Sequence, residues 1–459
     1  MTEALSNTIR DNKATRWLTL GIVSITMFAG YFLTDAMSPL KPMLESQLHW
    51  TSAQYGIFTS AYGWLNVFFF FLIIGGIILD KMGLRFTGIM SASIMVIGAS
   101  LKYYAISTDF TAGSMILGLP SQVALAAGGF AIFAVGVEVA GITVSKIIVK
   151  WFKGYEMALA MGMQMAVARI GTMMAMAAPV PIATYFDNVS APLLFALVLL
   201  VIGLLAFFVY NGMDKKLDKS IADSGEKVEE EAFKLSDIKM IITNKGFWLI
   251  ALLCVLFYSA VFPFLKYAAD LMVNKYSISP ETAGYIPSLL PLGTLFLTPL
   301  FGAYYDKKGK GATIMIIGAA MLVFIHGVFT LPLFEHWIVA VILVMLLGVA
   351  LSLVPSAMWP SVPKIIPEKQ LGTAYSLIFW VQNWGLMGVP FVIGIVLEKY
   401  CITGEITENG LTRPTYDYTL PMLIFAVIGI LAVVVAILLK REDRIKGYGL
   451  ELPNIKQAE

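Results

Sequence analysis

Charge is scarce in this 459-residue chain: Asp, Glu, Lys and Arg together make 14% of it, against 58% hydrophobic residues. That excludes an ordinary soluble globular domain, in which about a quarter of residues are charged. The formal net charge is only +2, so no field of one sign argues for nucleic acid. Two cysteines, Cys254 and Cys401, give neither a disulfide framework nor a metal site. Among the histidines, His326 falls in an apolar run with no second His or carboxylate spaced to join it, and His49 and His336 fall in loops. No phosphate-cradling glycine loop and no nucleophile elbow is present, so neither ATP-driven transport nor enzymatic catalysis is indicated. No cofactor is expected. The polar stretch Met1 to Arg16 leads into a full span without a small-residue cleavage pattern, so no signal peptide is read.

What the chain has instead is apolar runs of spanning length, six before residue 211 and six after 246. The fold class expected is an all-α membrane protein with twelve transmembrane helices in two pseudo-symmetric six-helix halves. The segments read as a tail 1–16, a bundle 17–210, a charged linker 211–246, a bundle 247–440 and a tail 441–459. Counting Lys and Arg places 24 of the 32 in the tails and in alternate loops on the same side. Cytoplasmic loops hold the basic excess, so both termini are expected to be cytoplasmic.

The chain is organised around Gly136 to Gly171, two apolar helices joined by a short basic turn. Glu138 lies thirteen positions before Trp151, and Arg169 thirteen positions after Glu156. At about 1.5 Å of rise per residue, both sit ~20 Å from the same membrane face. An acid and a base therefore share one depth inside the hydrocarbon. Ionised groups there are costly and by default mark a substrate or ion path. The competing reading is a salt bridge that neutralises two helices for insertion.

An internal repeat supports the division into halves. Gly76, Asp80, Lys81, Gly83 and Arg85 follow the second span, and Gly302, Asp306, Lys307, Gly309 and Lys310 follow the eighth. The Gly one turn before each Asp is expected to let a neighbouring helix approach, and the Asp to face a helix N-terminus. The bases are expected to pair or snorkel. The two copies resemble the signature of the major facilitator superfamily, whose halves rock around a central site.

Tyr62 to Val67, the stretch from Val149 to Gly171, Ala260 to Phe264, Met358 to Ser376 and Val381 to Leu386 together resemble the lysosomal dipeptide transporter family within that superfamily. The likeness runs with few gaps from about Tyr31 to Tyr400. It implies a dipeptide carrier without an obligatory ion. It also implies that Glu138 takes the ammonium and Arg169, in "ARIG", the carboxylate of the peptide.

Other side chains are weighed beside these. Lys146, five residues before Trp151, is expected to snorkel to the interface. Asp35 and Lys266 are a candidate gate pair, against a local pair of Lys266 with Asp270 four residues on. Asn66, Gln382 and Asn383 are either ligand contacts or interhelical hydrogen bonds. Tyr62, Tyr258, Trp359 and Tyr375 are candidate cavity aromatics, against the commoner packing role. The function expected is alternating-access transport of dipeptides by a monomer, with Glu138 or Asp35 left open as a proton carrier. The alternatives are an organic anion or amino-acid carrier relying on Arg169, and a non-transporting membrane sensor or assembly partner. A prokaryotic cell membrane is the expected location, ahead of a lysosomal one.

Overall fold

The computed structural model describes residues 8–111, 113–224, 236–367, 370–408 and 410–454. Residues 225–235 of the expected linker, and the ends 1–7 and 455–459 of the expected tails, lie outside the described residues.

A single 3-10 turn leads into α1 (Lys13–Asp35), α2 (Lys41–Leu48), α3 (Ser52–Phe68), α4 (Phe71–Ser107), α5 (Ser121–Phe152), α6 (Met157–Ala177), α7 (Pro179–Tyr185) and α8 (Ala191–Ser224). Then follow α9 (Ser236–Ile242), α10 (Lys245–Tyr276), α11 (Tyr285–Lys308), α12 (Gly311–Thr330), α13 (Trp337–Ile365), α14 (Leu371–Tyr400) and α15 (Thr419–Lys446). Two short hairpins interrupt them, β1 (Met115–Ile116) with β2 (Leu119–Pro120), and β3 (Ile402–Glu408) with β4 (Leu411–Tyr416). Polar caps start the helices where the sequence turns apolar. Asn12 accepts from the Thr15 amide and Asn244 from that of Phe247, each at 3.2 Å. Thr51 and Gln54 cap each other's backbone at the head of α3.

Among the described residues, eleven helices are long and apolar enough to cross a membrane. One of them, α4, holds two crossings, because Gly83 breaks it at φ 77, ψ 173. Contacts with α5 show the reversal. Before the break, Gly75 meets Val139 and Asp80 reaches Lys146, so the two chains run parallel. After it, Ser91 and Met95 meet Gly136 while Gly98 meets Gly129, so they run antiparallel. With α3 and the first leg of α4 as one broken span, the crossings number twelve. An even number puts the start of α1 and the end of α15 at one end of the bundle, called here the terminal face; the opposite end is the far face.

The conformation at Gly83 is essentially restricted to glycine. Gly83→Ala is expected to lower stability by ~1–3 kcal/mol, read as an earlier thermal midpoint in detergent. Gly302→Ala, at a helical position where an added Cβ meets nothing within 4 Å, is the matched control and is expected to leave the midpoint unchanged or raise it slightly. Equal behaviour of the two would contradict the turn's dependence on glycine.

Two seams join the halves: α3 packs along α14, and α6 along α11. They are built on glycine toward the far face, where Gly56 lies against Gly394 and the Pro390 carbonyl, and Gly284 against the Met176 carbonyl. The repeat motif works differently from expectation. A Cβ on Gly76 or Gly302 would meet nothing within 4 Å, so neither admits a neighbouring helix; Gly75, against Val139, does. Asp80 pairs with Lys146, which therefore does not simply snorkel. Arg85 reaches Asp218 at 2.9 Å, and Lys150 binds Asp214 and Asp218 at 2.9 and 2.6 Å, tying α4, α5 and α8 together on the terminal face. In the second copy, Asp306 instead accepts from Asn454 at 2.8 Å, and the backbone of residues 450–451 accepts from Lys310 and Gly311. Lys81 and Lys307 are exposed.

Candidate functional site

Three charges, Lys41, Glu45 and Asp270, are buried together at the far face. Lys41 is fully buried and lies 2.7 Å from both Glu45 and Asp270. Tyr416 on β4 donates to Glu45 at 2.9 Å, and Tyr418 donates to Asp270. Asp270 is thereby committed to Lys41, and the local Lys266 to Asp270 pair does not form. Lys266 instead donates to Asp35 at 2.5 Å and to the Thr34 carbonyl at 2.7 Å, joining α10 to α1. Among the described residues, side-chain hydrogen bonds between the two halves all involve α1, α2 or α3, and ion pairs between halves occur only in this far-face region. The bundle is closed there.

Directly inside the closure lies a chamber of about 170 Å³. Its wall includes Tyr31 and Asp35 from α1, Tyr62 from α3, Glu138 from α5, Phe262 and Lys266 from α10, and Gln382 from α14. The Tyr62 hydroxyl donates to Glu138 Oε1 at 2.7 Å, which fixes one carboxylate oxygen without neutralising it. Among the described residues Glu138 has no basic partner.

Arg169 opens into a different chamber. That one, about 400 Å³, is lined from α6 by Met161, Met165 and Arg169, from α10 by Tyr258, from α11 by Leu295, and from α13 by Leu351 and Trp359. It extends toward the terminal end of α6, where Met163 and Met165 are 47% and 45% exposed. Of these two chambers, the one at Arg169 has a volume in the range of small-molecule sites.

A stack of rings borders both, Phe262 on the small chamber and Tyr258 on the large one. Phe262 lies over Tyr258, one helical turn away, with planes 3° apart and centroids 5.3 Å apart. The Arg169 guanidinium sits 5.8 Å from the Phe262 centroid, a cation–π contact. Trp359 Nε1 donates to the Tyr258 hydroxyl at 3.2 Å and is itself backed by Tyr375 and Phe379. No ion pair joins Glu138 and Arg169 among the described residues. The neutralising bridge that competed with a ligand role is not formed.

The remaining candidates divide. Tyr62 and Gln382 face the Glu138 chamber, and Tyr258 and Trp359 the Arg169 chamber. Tyr375, Asn66 and Asn383 line neither. Tyr375 donates to the Trp359 carbonyl at 3.3 Å from behind. Asn66 is 1% exposed with neither side-chain atom hydrogen-bonded, and Asn383 donates to the Phe379 carbonyl at 2.9 Å while its Oδ1 has no partner. Sequence reasoning missed Phe262, an apolar residue in an apolar span, and Lys102. Lys102 is fully buried, donates to the Leu33 carbonyl at 3.3 Å and lies 4.4 Å from the Phe130 centroid.

The Asp35 to Lys266 pair has a measurable consequence. Lys266→Met leaves Asp35 buried without its cation, which costs the closed state ~3–5 kcal/mol. Labelling of a cysteine placed on the far-face side of the small chamber is expected to rise at least tenfold. Unchanged labelling would show that the Asp35 to Lys266 pair does not hold the closure.

Twelve crossings, paired seams and a central, charge-bearing cavity describe a transporter, and comparison with known proteins agrees. The chain is 26% identical over 399 residues to the human (Homo sapiens) "Lysosomal dipeptide transporter MFSD1", covering 84% of this chain and 81% of that one. It is 26% identical over 247 residues to the "Galacturonate transporter" of Dickeya chrysanthemi, covering 52% and 67%. Its fold matches the crystal structure of the nucleoside transporter NupG at a TM-score of 0.68 and 17% identity, over 93% of this chain and 99% of that chain. Residues 23–390 match the family profile described as Major Facilitator Superfamily, so the chain belongs to that superfamily of membrane transporters.

Proposed function

We propose that this transporter carries dipeptides, holding the ammonium end at Glu138 and the carboxylate end at Arg169. One observation carries the reading: Glu138 lines the small chamber beside Phe262, and Arg169 lies 5.8 Å from the centroid of that same ring, yet among the described residues the two do not pair. Two such charges left apart inside a bundle are expensive unless something completes them. A zwitterion with charges at its two ends supplies both counter-charges at once. The Tyr62 hydroxyl orients the Glu138 carboxylate, and the guanidinium fork is suited to hold a carboxylate by two parallel hydrogen bonds. In this reading the terminal face is cytoplasmic, and the closed far face is the side from which the site is sealed. Rocking of the halves along the α3 to α14 and α6 to α11 seams exposes the chambers to either side in turn.

Blocking each end of the ligand tests the assignment. N-acetylation removes the ammonium and amidation removes the carboxylate, and each is expected to weaken binding of an otherwise good dipeptide by at least 30-fold. Equal binding of blocked and free peptides would refute it. A second reading is favoured by the separate, larger chamber around Arg169: an organic anion carrier in which Glu138 is not a ligand. Under that reading the acetylated peptide binds as well as the free one and only the amidated peptide fails.

A further inference from the structure

The two ends of the proposed clamp open into chambers of unequal size and unlike chemistry. Glu138 faces about 170 Å³ whose wall, mostly apolar, also carries the charges of Asp35 and Lys266 and the hydroxyls of Tyr31 and Tyr62. Arg169 faces about 400 Å³ whose wall is largely apolar, with Met161, Met165, Leu295 and Leu351. Methionine is flexible and polarizable, so that wall can repack around side chains of different shape.

In a dipeptide, the α-carbon bearing the ammonium carries the first side chain, and the α-carbon bearing the carboxylate carries the second. Anchoring the two termini therefore sends each side chain into the chamber of its own anchor. The first side chain meets a small space in which an apolar group would desolvate charges without replacing their hydrogen bonds. The second meets a larger one in which apolar surface is buried with gain, ~25 cal/mol per Å². Phe262 stands where the two chambers meet. Its ring lines the small chamber, stacks on Tyr258 of the large one and lies against the Arg169 guanidinium.

We propose that the site reads the order of residues in a dipeptide, accepting a small residue at the amino end and a large apolar one at the carboxyl end, with Phe262 as the specificity-determining partition. This rests on the dipeptide reading above and adds to it a direction.

Competition binding with sequence-reversed pairs tests it, because Ala-Phe and Phe-Ala, or Gly-Leu and Leu-Gly, have the same composition and the same terminal charges. On the wild-type protein the order with the large residue second is expected to bind at least tenfold tighter, since a mis-sized apolar group in a fixed pocket costs about tenfold or more. In Phe262→Ala the chambers merge and the ratio is expected to fall below threefold. Phe262→Tyr keeps the ring and the ratio. If Phe262→Ala does not fold, Phe262→Leu, which removes the ring at a smaller loss of volume, is expected to lower the ratio in part. Equal or reversed preference in the wild type overturns the inference, as does a folded Phe262→Ala or Phe262→Leu protein that keeps the full ratio. Failure of both orders to bind the wild type sinks the dipeptide reading itself, and is distinguished by that from failure of the order preference.

Discussion

Glu138→Gln is expected to weaken dipeptide binding by about 30-fold to about 4,000-fold, the equivalent of ~2–5 kcal/mol for removing one partner of a desolvated charge pair. The amide is nearly isosteric and still accepts from the Tyr62 hydroxyl, which lies 2.7 Å from the carboxylate now. What it loses is the negative charge facing the ammonium. Binding measured by calorimetry on detergent-purified protein gives the ratio, and thermal unfolding checks that the variant is folded. Arg169→Lys is the complementary change. It keeps a positive charge and loses the planar fork, so about a tenfold loss is expected there. A Glu138→Gln protein that binds dipeptides like the wild type would leave Arg169 as the sole anchor and favour the anion reading.

Lys41→Met is expected to cost ~3–5 kcal/mol of stability, although Lys41 touches neither chamber. Its ammonium is fully buried between Glu45 and Asp270, 2.7 Å from each, and its removal leaves two buried carboxyl groups facing each other. Tyr416, Tyr418, Ser52 and Asn274 donate to those carboxyls but carry no charge. The triple variant Lys41→Met, Glu45→Gln, Asp270→Asn is expected to recover most of the loss, because it removes the stranded acids along with the base. Thermal midpoints of the wild type and both variants decide this; a single variant as stable as the wild type would mean that the cluster is not held by charge. The cluster also has a pH sign. Burial holds the Glu45 carboxyl above the usual range, against the pull of Lys41. The folded protein therefore binds that proton more tightly than the unfolded chain does. Its contribution to stability is full below the unfolded pKa and declines as pH rises through the folded one.

The twelve crossings were legible because apolar length is a one-dimensional property, and Glu138 and Arg169 were legible because a charge in an apolar run stands out. Depth along a helix follows from counting, but azimuth and partner do not. The sequence put Glu138 and Arg169 level without saying whether they touch. It offered Lys266 both Asp35 and Asp270, and the choice was decided by Lys41, a residue in a short segment between spans with no periodicity to place it. Lys102 drew no functional reading from the sequence; its burial against Phe58 and Phe130 depends on how α4 turns after Gly83. Phe262 was invisible for the opposite reason. A phenylalanine among apolar residues carries no signal until a guanidinium is found on its face. Tyr375, Asn66 and Asn383 share the depth and chemistry of the chamber residues, but they point into the packing between helices.

The most direct test of the central claim is uptake into proteoliposomes, using a panel of radiolabelled dipeptides with single amino acids and tripeptides as controls, for wild type and Glu138→Gln. The account predicts saturable flux of several dipeptides, little flux of the controls, and loss of the dipeptide flux in Glu138→Gln. Folded, correctly inserted wild-type protein that moves no dipeptide, or a Glu138→Gln variant that moves them at the wild-type rate, would contradict it.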